Sequence, residues 1–246
     1  MTLQLTEHVY WVGGGICGIS QEKDCHVYLI KSKDEAALVD TGCGIDITKL
    51  CQNILDAGTS LDQIKYVFLT HAHADHSGGA YYLRKRCAFK LVASELEKQL
   101  VEKGSDWDLG IVLAKKSNVY PPDYCFHHAK VDVVAQDNSL FAVGDLTIRT
   151  ILVPGHSPQG VCLFMKTPEG NTLFSGDTVF LKGLISVINS PGSNIDAYRE
   201  NLGKLANLQV DQLFTGHDLW TLANGQRHID RALENLTFVN LPPMKI

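Results

Sequence analysis

Short apolar or alternating runs at residues 9–12, 26–30 and 36–39, set apart by turn residues, predict strands. Ile47, Leu50, Cys51, Ile54 and Leu55 then recur at helical spacing, with Gly58 placed to end that helix. Residues 66–69 read as a short buried strand, 77–86 as a helix, and a further helix starts near Ser94. Residues 104–125 have weaker periodicity and contain Tyr120-Pro121-Pro122, which marks an insertion with a loop bordering a binding cleft. Five more strands are expected at 131–134, 140–142, 146–153, 161–165 and 172–174, with Gly, Asp and Pro at the turns. Two amphipathic helices follow. One carries Ile195, Tyr198, Leu202 and Leu205 on one face. The other, around residues 226–238, carries Ile229, Ala232, Leu233 and Leu236, and a short strand at 212–214 lies between them. Each half, about 1–125 and 126–246, runs strands before helices with no low-complexity linker between. That order predicts one α+β domain over residues 1–246, with two sheets packed together and helices outside.

A chain of 246 residues with 45% hydrophobic and 20% charged residues can bury a substantial core. Its net charge of −5 and lack of a basic cluster argue against a nucleic-acid partner. The densest basic spot, Leu83-Arg84-Lys85-Arg86, reads as a solvated helix end. No apolar stretch approaches the length needed to cross a bilayer. The first twelve residues lack a basic start followed by an apolar run, so no signal peptide is expected. The seven cysteines, Cys17, Cys25, Cys43, Cys51, Cys87, Cys125 and Cys162, are odd in number and scattered, without a C-x-x-C pair. That usage predicts reduced thiols and a cytoplasmic location. Cys125 with His127 and His128 lacks further ligands close by and reads as a buried thiol beside two surface imidazoles. The expected partner is a small-molecule substrate, with no membrane and with a homodimer left open.

The most informative segment is Thr70-His71-Ala72-His73-Ala74-Asp75-His76-Ser77-Gly78-Gly79, directly after the strand at 66–69. In extended backbone, residues two apart point the same way, so His71, His73 and Asp75 converge on one side, and a turn after Asp75 swings His76 back. Imidazole and carboxylate are the ligands of hydrolytic zinc. Four such groups in six residues, packed together without a cation, would carry a desolvation cost that few neighbours can offset. His156 in Val153-Pro154-Gly155-His156, Asp177 in Phe174-Ser175-Gly176-Asp177 and His217 in Phe214-Thr215-Gly216-His217 each follow a glycine at a strand end. Together these are seven ligand-capable groups, enough for two metal ions.

The H-x-H-x-D-H run, followed by His156, Asp177 and His217, resembles the metallo-β-lactamase superfamily. Asp40 in Val39-Asp40-Thr41-Gly42 matches that superfamily's early aspartate, so the resemblance covers nearly the whole chain. It implies an αββα sandwich of two mixed sheets with helices on the outer faces and the site at the edge between the sheets. It also implies one metal held by His71, His73 and His156, a second held by Asp75, His76 and His217, Asp177 bridging them, and Asp40 orienting the ligand loop by hydrogen bonds. The cofactor expected is two divalent ions, zinc first, with iron or manganese as alternatives. Water shared by two cations falls in pKa from about 16 toward about 7, so a bridging hydroxide would attack the substrate while Asp75 orients it and passes the proton on. No serine nucleophile motif such as G-x-S-x-G is present.

Within the superfamily, exported β-lactamases generally carry Cys or Ser where Asp177 stands. Asp177 makes the site similar to glyoxalase II and the lactonases. The short stretch after His217 leaves little room for the helical region that holds glutathione in glyoxalase II, and the acidic charge disfavours phosphodiesters. The flavin-linked diiron members have Glu at the position of His73. The expectation is therefore a dinuclear metal-dependent hydrolase acting on a small-molecule ester, lactone or thioester. The alternative is a persulfide dioxygenase-like oxidoreductase with one iron on His71, His156 and Asp177. Residues 13–15, 104–125 and 184–192 are expected to wall the cleft, and their apolar content suggests a small, neutral or modestly polar substrate. Gly13-Gly14-Gly15 lacks the lysine and helix start of a phosphate loop and reads as a hairpin turn.

Overall fold

The computed structural model describes residues 2–237 and 243–244, so the expected helix end at Phe238 lies outside the described residues. The first sheet contains β1 (Leu3–Gln4), β2 (Val9–Gly13), β3 (Val27–Ser32), β4 (Glu35–Val39), β5 (Ile64–Phe68), β6 (Lys90–Ala93) and β7 (Val133–Val134), in that spatial order. Pairing is antiparallel through β4 and parallel from β4 to β7. The second sheet contains β8 (Leu140–Val143), β9 (Leu146–Leu152), β10 (Val161–Thr167), β11 (Gly170–Gly176) and β12 (Gln212–Thr215), ordered β12-β11-β10-β9-β8, with only β11 and β12 parallel. Both sheets are therefore mixed.

Strand periodicity divides the apolar residues among three layers. In β3, Val27 and Leu29 join a cluster with Leu50, Ile54 and Val101, the inward residues of helices α1 (Ile47–Asp56) and α4 (Glu95–Lys103). Tyr28 and Ile30 point the other way, into a layer shared with Ile148, Leu163, Met165, Phe174 and Phe214 of the second sheet. The far face of that sheet sends Ile151, Cys162, Phe164 and Leu213 against Tyr198 of α6 (Ile195–Asn201) and Ile229 and Ala232 of α7 (Gln226–Asn235). Burying each Val, Leu, Ile, Met or Phe among them contributes about 1.5–3 kcal/mol, so a strand apolar on both faces is held by two layers at once. The layering is αββα, as expected.

Several local expectations shift. Asp46 caps α1 by accepting the Lys49 amide at 3.0 Å, and Gly58 (φ 72°) follows the helix, but Leu55 is exposed and Asn53 takes the inward position. The expected strand at 131–134 pairs only at Val133–Val134. The helix expected over 77–86 begins earlier and breaks, giving α2 (Ala74–Ser77) and α3 (Ala80–Leu83). The break falls at Gly78-Gly79, where backbone runs against backbone: a Cβ on Gly79 would stand 2.2 Å from the Thr41 carbonyl oxygen. The insertion at 104–125 carries the short helix α5 (Ile111–Lys116).

Candidate metal centre

The loops leaving the ends of β5, β9, β11 and β12 meet at one edge of the sandwich, and each delivers part of the site. After β5, the Thr70 amide donates to Asp40 Oδ1 and the Thr70 hydroxyl to Asp40 Oδ2, both at 2.8 Å. Asp40 sits in the left-handed region (φ 61°), which places its carboxylate under this loop. With its proton committed to Asp40, Thr70 Oγ1 accepts from His71 Nδ1 at 3.0 Å. His76 Nδ1 donates to Asp40 Oδ2 at 2.8 Å, and His156 Nδ1 donates to the Ser186 carbonyl at 3.0 Å. Each of these three rings has its Nδ1 proton engaged outward, so each turns Nε2 toward the centre.

The inward atoms form two groups. His156 Nε2 lies 3.2 Å from His71 Nε2 and 3.0 Å from His73 Nδ1. His217 Nε2 lies 3.2 Å from His76 Nε2 and 3.0 Å from Asp75 Oδ2. Asp177 stands between them, with Oδ1 3.5 Å from His76 Nε2 and Oδ2 3.7 Å from His156 Nε2 and 3.6 Å from His217 Nε2. Asp177 Oδ1 is buried without a hydrogen-bond partner. Gly216 makes this position accessible, because a Cβ there would lie 2.2 Å from that same oxygen. All seven expected ligand residues are thus brought together.

One part of the sequence argument is corrected. His71, His73 and Asp75 do not converge through extended backbone, because Ala74 opens α2 with His73 as its N-cap. The helical turn sends Asp75 and His76 to the group of His217, and leaves His71 and His73 with His156.

Burial and neighbouring charges together set the charge states. Burial drives His71 well below the ordinary imidazole range and His73 down to about 3, which leaves both rings neutral and able to donate a lone pair. Burial opposes ionising Asp177 and Asp75, but the surrounding imidazoles outweigh it, holding Asp177 at about 2 and Asp75 lower still. Burial likewise opposes charging His76, yet the carboxylates of Asp75, Asp40 and Asp177 raise it well above its usual value. The carboxylates around His76 therefore favour positive charge at this end of the site, which a cation on the neutral ring supplies as a proton would. Neutral imidazoles, ionised carboxylates and an orphaned buried oxygen fit a pair of divalent cations, and this nitrogen–oxygen donor set suits zinc.

The site opens into a cavity of about 750 Å³ whose lining includes His73, Asp75, His156, Asp177 and His217. Leu109, Leu113, Val119 and Tyr120 of the 104–125 insertion line it, as do Ser186, Ile188 and Ser190 of the 184–192 loop. Gly13-Gly14-Gly15 are not among its lining residues; Ile16 and Lys23, further along the same loop, are.

Three contributors escaped sequence reasoning. The Tyr120 hydroxyl donates to Asp75 Oδ1 at 3.3 Å. Cys25 stands beside Asp40 and His76, all three buried. Glu97 of α4 is fully buried, and the usable signal was an acid four residues before the buried Val101, on the inward helix face. The Cys125 region behaves otherwise than expected in one respect: Cys125 is exposed, while His127 stacks on Tyr81 and His128 Nδ1 faces the Val101 carbonyl. Among the described residues, no helix is long and apolar enough to cross a membrane.

Comparison with known proteins places this geometry in context. The chain is 24% identical over 212 residues to acyl-coenzyme A thioesterase MBLAC2 of Bos taurus, covering 78% of this chain and 72% of that protein. It is 25% identical over 230 residues to the atrochrysone carboxyl ACP thioesterase of Aspergillus fumigatus, covering 94% and 62%. Against several fungal relatives the chain spans only 52% to 62% of their length. Among solved structures, BJP-1, a subclass B3 metallo-beta-lactamase of Bradyrhizobium japonicum, superposes with a TM-score of 0.72 at 25% identity, covering 95% of this chain and 89% of that one. The family profile described as the Metallo-beta-lactamase superfamily matches residues 21–217. The chain belongs to the metallo-beta-lactamase superfamily.

Proposed function

We propose that this chain is a metal-dependent hydrolase that cleaves a thioester or ester of a small molecule, using two divalent cations, zinc by donor preference. The observation that carries this reading is the buried, unpartnered Oδ1 of Asp177, on a carboxylate 3.5–3.7 Å from ring nitrogens of both groups. Leaving such an oxygen unpaired is costly in bare protein, and cations on either side would satisfy it. His71, His73 and His156 would hold one cation, Asp75, His76 and His217 the other, and Asp177 would touch both. Cations bound there supply Lewis acidity, lowering the pKa of water toward about 7 and offsetting charge on the substrate oxygen.

The chain's own residues do the rest. Asp75, partly exposed to the cavity and fixed at Oδ1 by Tyr120, accepts the proton lost by the attacking water and passes it to the departing thiolate or alkoxide. Asp40 keeps the His71–His76 loop from yielding as charge builds, because it engages Thr70 twice and His76 once. Two relatives named as thioesterases favour a thioester over a lactone. A single iron on His71, His156 and Asp177 would leave the equally close Asp75, His76 and His217 without a role. Buried free thiols at Cys25, Cys43, Cys51, Cys87 and Cys162 fit the reducing cytoplasm proposed as the location.

The test is metal analysis of the purified protein beside a turnover panel of thioesters, esters, lactones, β-lactams and phosphodiesters. Two zinc ions per chain with thioester or ester turnover are expected. One iron per chain with oxygen uptake on a persulfide would overturn the reading.

A further inference from the structure

Ile16 is 66% exposed, Val119 46% and Ile188 38%, and all three lie around the cavity that holds the candidate metal ligands. They come from three separate segments: the loop after β2, the end of the 104–125 insertion, and the 184–192 loop. A single exposed aliphatic residue is ordinary, but three converging on the same cavity as the reactive groups mark a binding wall. Leu109, just before α5, and Leu113, within it, extend this wall. The charges nearby are already engaged. Lys23 Nζ pairs with Glu22 at 2.8 Å, and the Asp24 carboxylate accepts the Cys43 and Gln21 amides. Away from the metal ligands, this cavity therefore offers mainly apolar contact.

We propose that this wall holds an apolar acyl arm, so that the preferred substrates are thioesters or esters of medium-length aliphatic acids rather than acetyl derivatives. The inference rests on the hydrolase reading and names its substrate class. Both arms of the substrate leave the carbonyl carbon beside the ligand cluster, and the apolar residues line the same cavity as that cluster. The aliphatic acyl arm is the one that gains by covering them. The polar carrier of a thioester gains nothing from an aliphatic wall and lies toward solvent.

The experiment compares two series on the zinc-loaded protein. One varies the acyl chain from acetyl through butanoyl and hexanoyl to octanoyl on one hydrophilic thiol. The other keeps the acetyl group and lengthens an alkanethiol. The acyl series should gain roughly fourfold in kcat/KM per methylene until the wall is covered, while the thiol series stays flat. In the double variant Leu113→Ser with Ile188→Ser, the octanoyl-to-acetyl ratio of kcat/KM should fall at least tenfold, a ratio that partial misfolding does not alter. A flat acyl series, a slope confined to the thiol series, or an unchanged ratio in the variant would each overturn the proposal. Calorimetric binding of a non-hydrolysable octanoyl thioether analogue against its acetyl counterpart gives a readout independent of bond cleavage. Octanoyl-selective binding without turnover would sink the hydrolase reading and leave the wall standing; equal binding of both would sink the wall alone.

Discussion

The carboxylate of Glu97 accepts the backbone N–H of Ala72 at 2.8 Å, between His71 and His73. Its other oxygen accepts the Ser157 hydroxyl at 2.7 Å and the Gln159 amide at 2.9 Å, just past His156. One fully buried side chain on α4 thus joins the two loops that supply the first group of ring nitrogens. Glu97→Gln replaces one accepting oxygen with a donor and should weaken zinc binding by about 10–100-fold. Competition with a chromophoric chelator measures this, and thermal melting of the metal-free variant separates it from a loss of fold. Unchanged zinc affinity would reduce Glu97 to a brace for α4.

Asp40 serves the second group similarly, through Thr70 and His76. Asp40→Ala leaves the buried Thr70 amide without an acceptor and the His76 Nδ1 proton with only the longer contact to Thr70 Oγ1 at 3.4 Å, at about 1–3 kcal/mol for each bond lost. Urea unfolding of the metal-free protein should register that loss, and Asp40→Asn should recover part of it.

Replacing Asp75 with Asn removes the proposed proton acceptor. The turnover number should drop by about 10²–10⁴-fold while KM stays within a few-fold. Tyr120→Phe deletes only the hydrogen bond to Asp75 and keeps the ring stacked on Tyr124, so a loss of about tenfold is expected. Steady-state kinetics on the best thioester of the panel decides both, and an undiminished rate in the Asn variant would remove the assigned role.

Two glycines give opposite expectations. Gly216→Ala would press a methyl group against Asp177 Oδ1, and metal analysis should find fewer than two zinc ions per chain. Gly203 has open space around its Cβ position and lies in the short helical turn Leu202–Leu205. Gly203→Ala should leave metal content unchanged and stabilise the fold by about 0.5–1 kcal/mol.

Chelation should abolish turnover and zinc should restore it. The melting temperature should rise with added zinc, since ligand at 1,000 times its Kd stabilises the native state by about 4.1 kcal/mol. A zinc-independent melting curve would contradict the proposed cofactor.

What the sequence alone determined is whatever a short window encodes. The order of strands before helices in each half predicts two packed sheets with helices outside, and the apolar runs at β3 and β4 fit it, because alternate side chains along a strand face opposite layers. The dense cluster at 71–76 and the glycine before each of His156, Asp177 and His217 pointed to the metal ligands for the same local reason. Tertiary structure alone decided which ligands share a group. Asp75 parts from His71 and His73 because α2 begins at Ala74, and that early start goes with the close approach of Gly78-Gly79 to the strand-end loop at Thr41. His76 and His217 meet across 141 residues, Glu97 reaches loops 25 and 60 residues away, and Ile16, Val119 and Ile188 come to one cavity from three segments. Such meetings depend on how strands and crossovers stack, so no window short enough to carry a periodicity contains them.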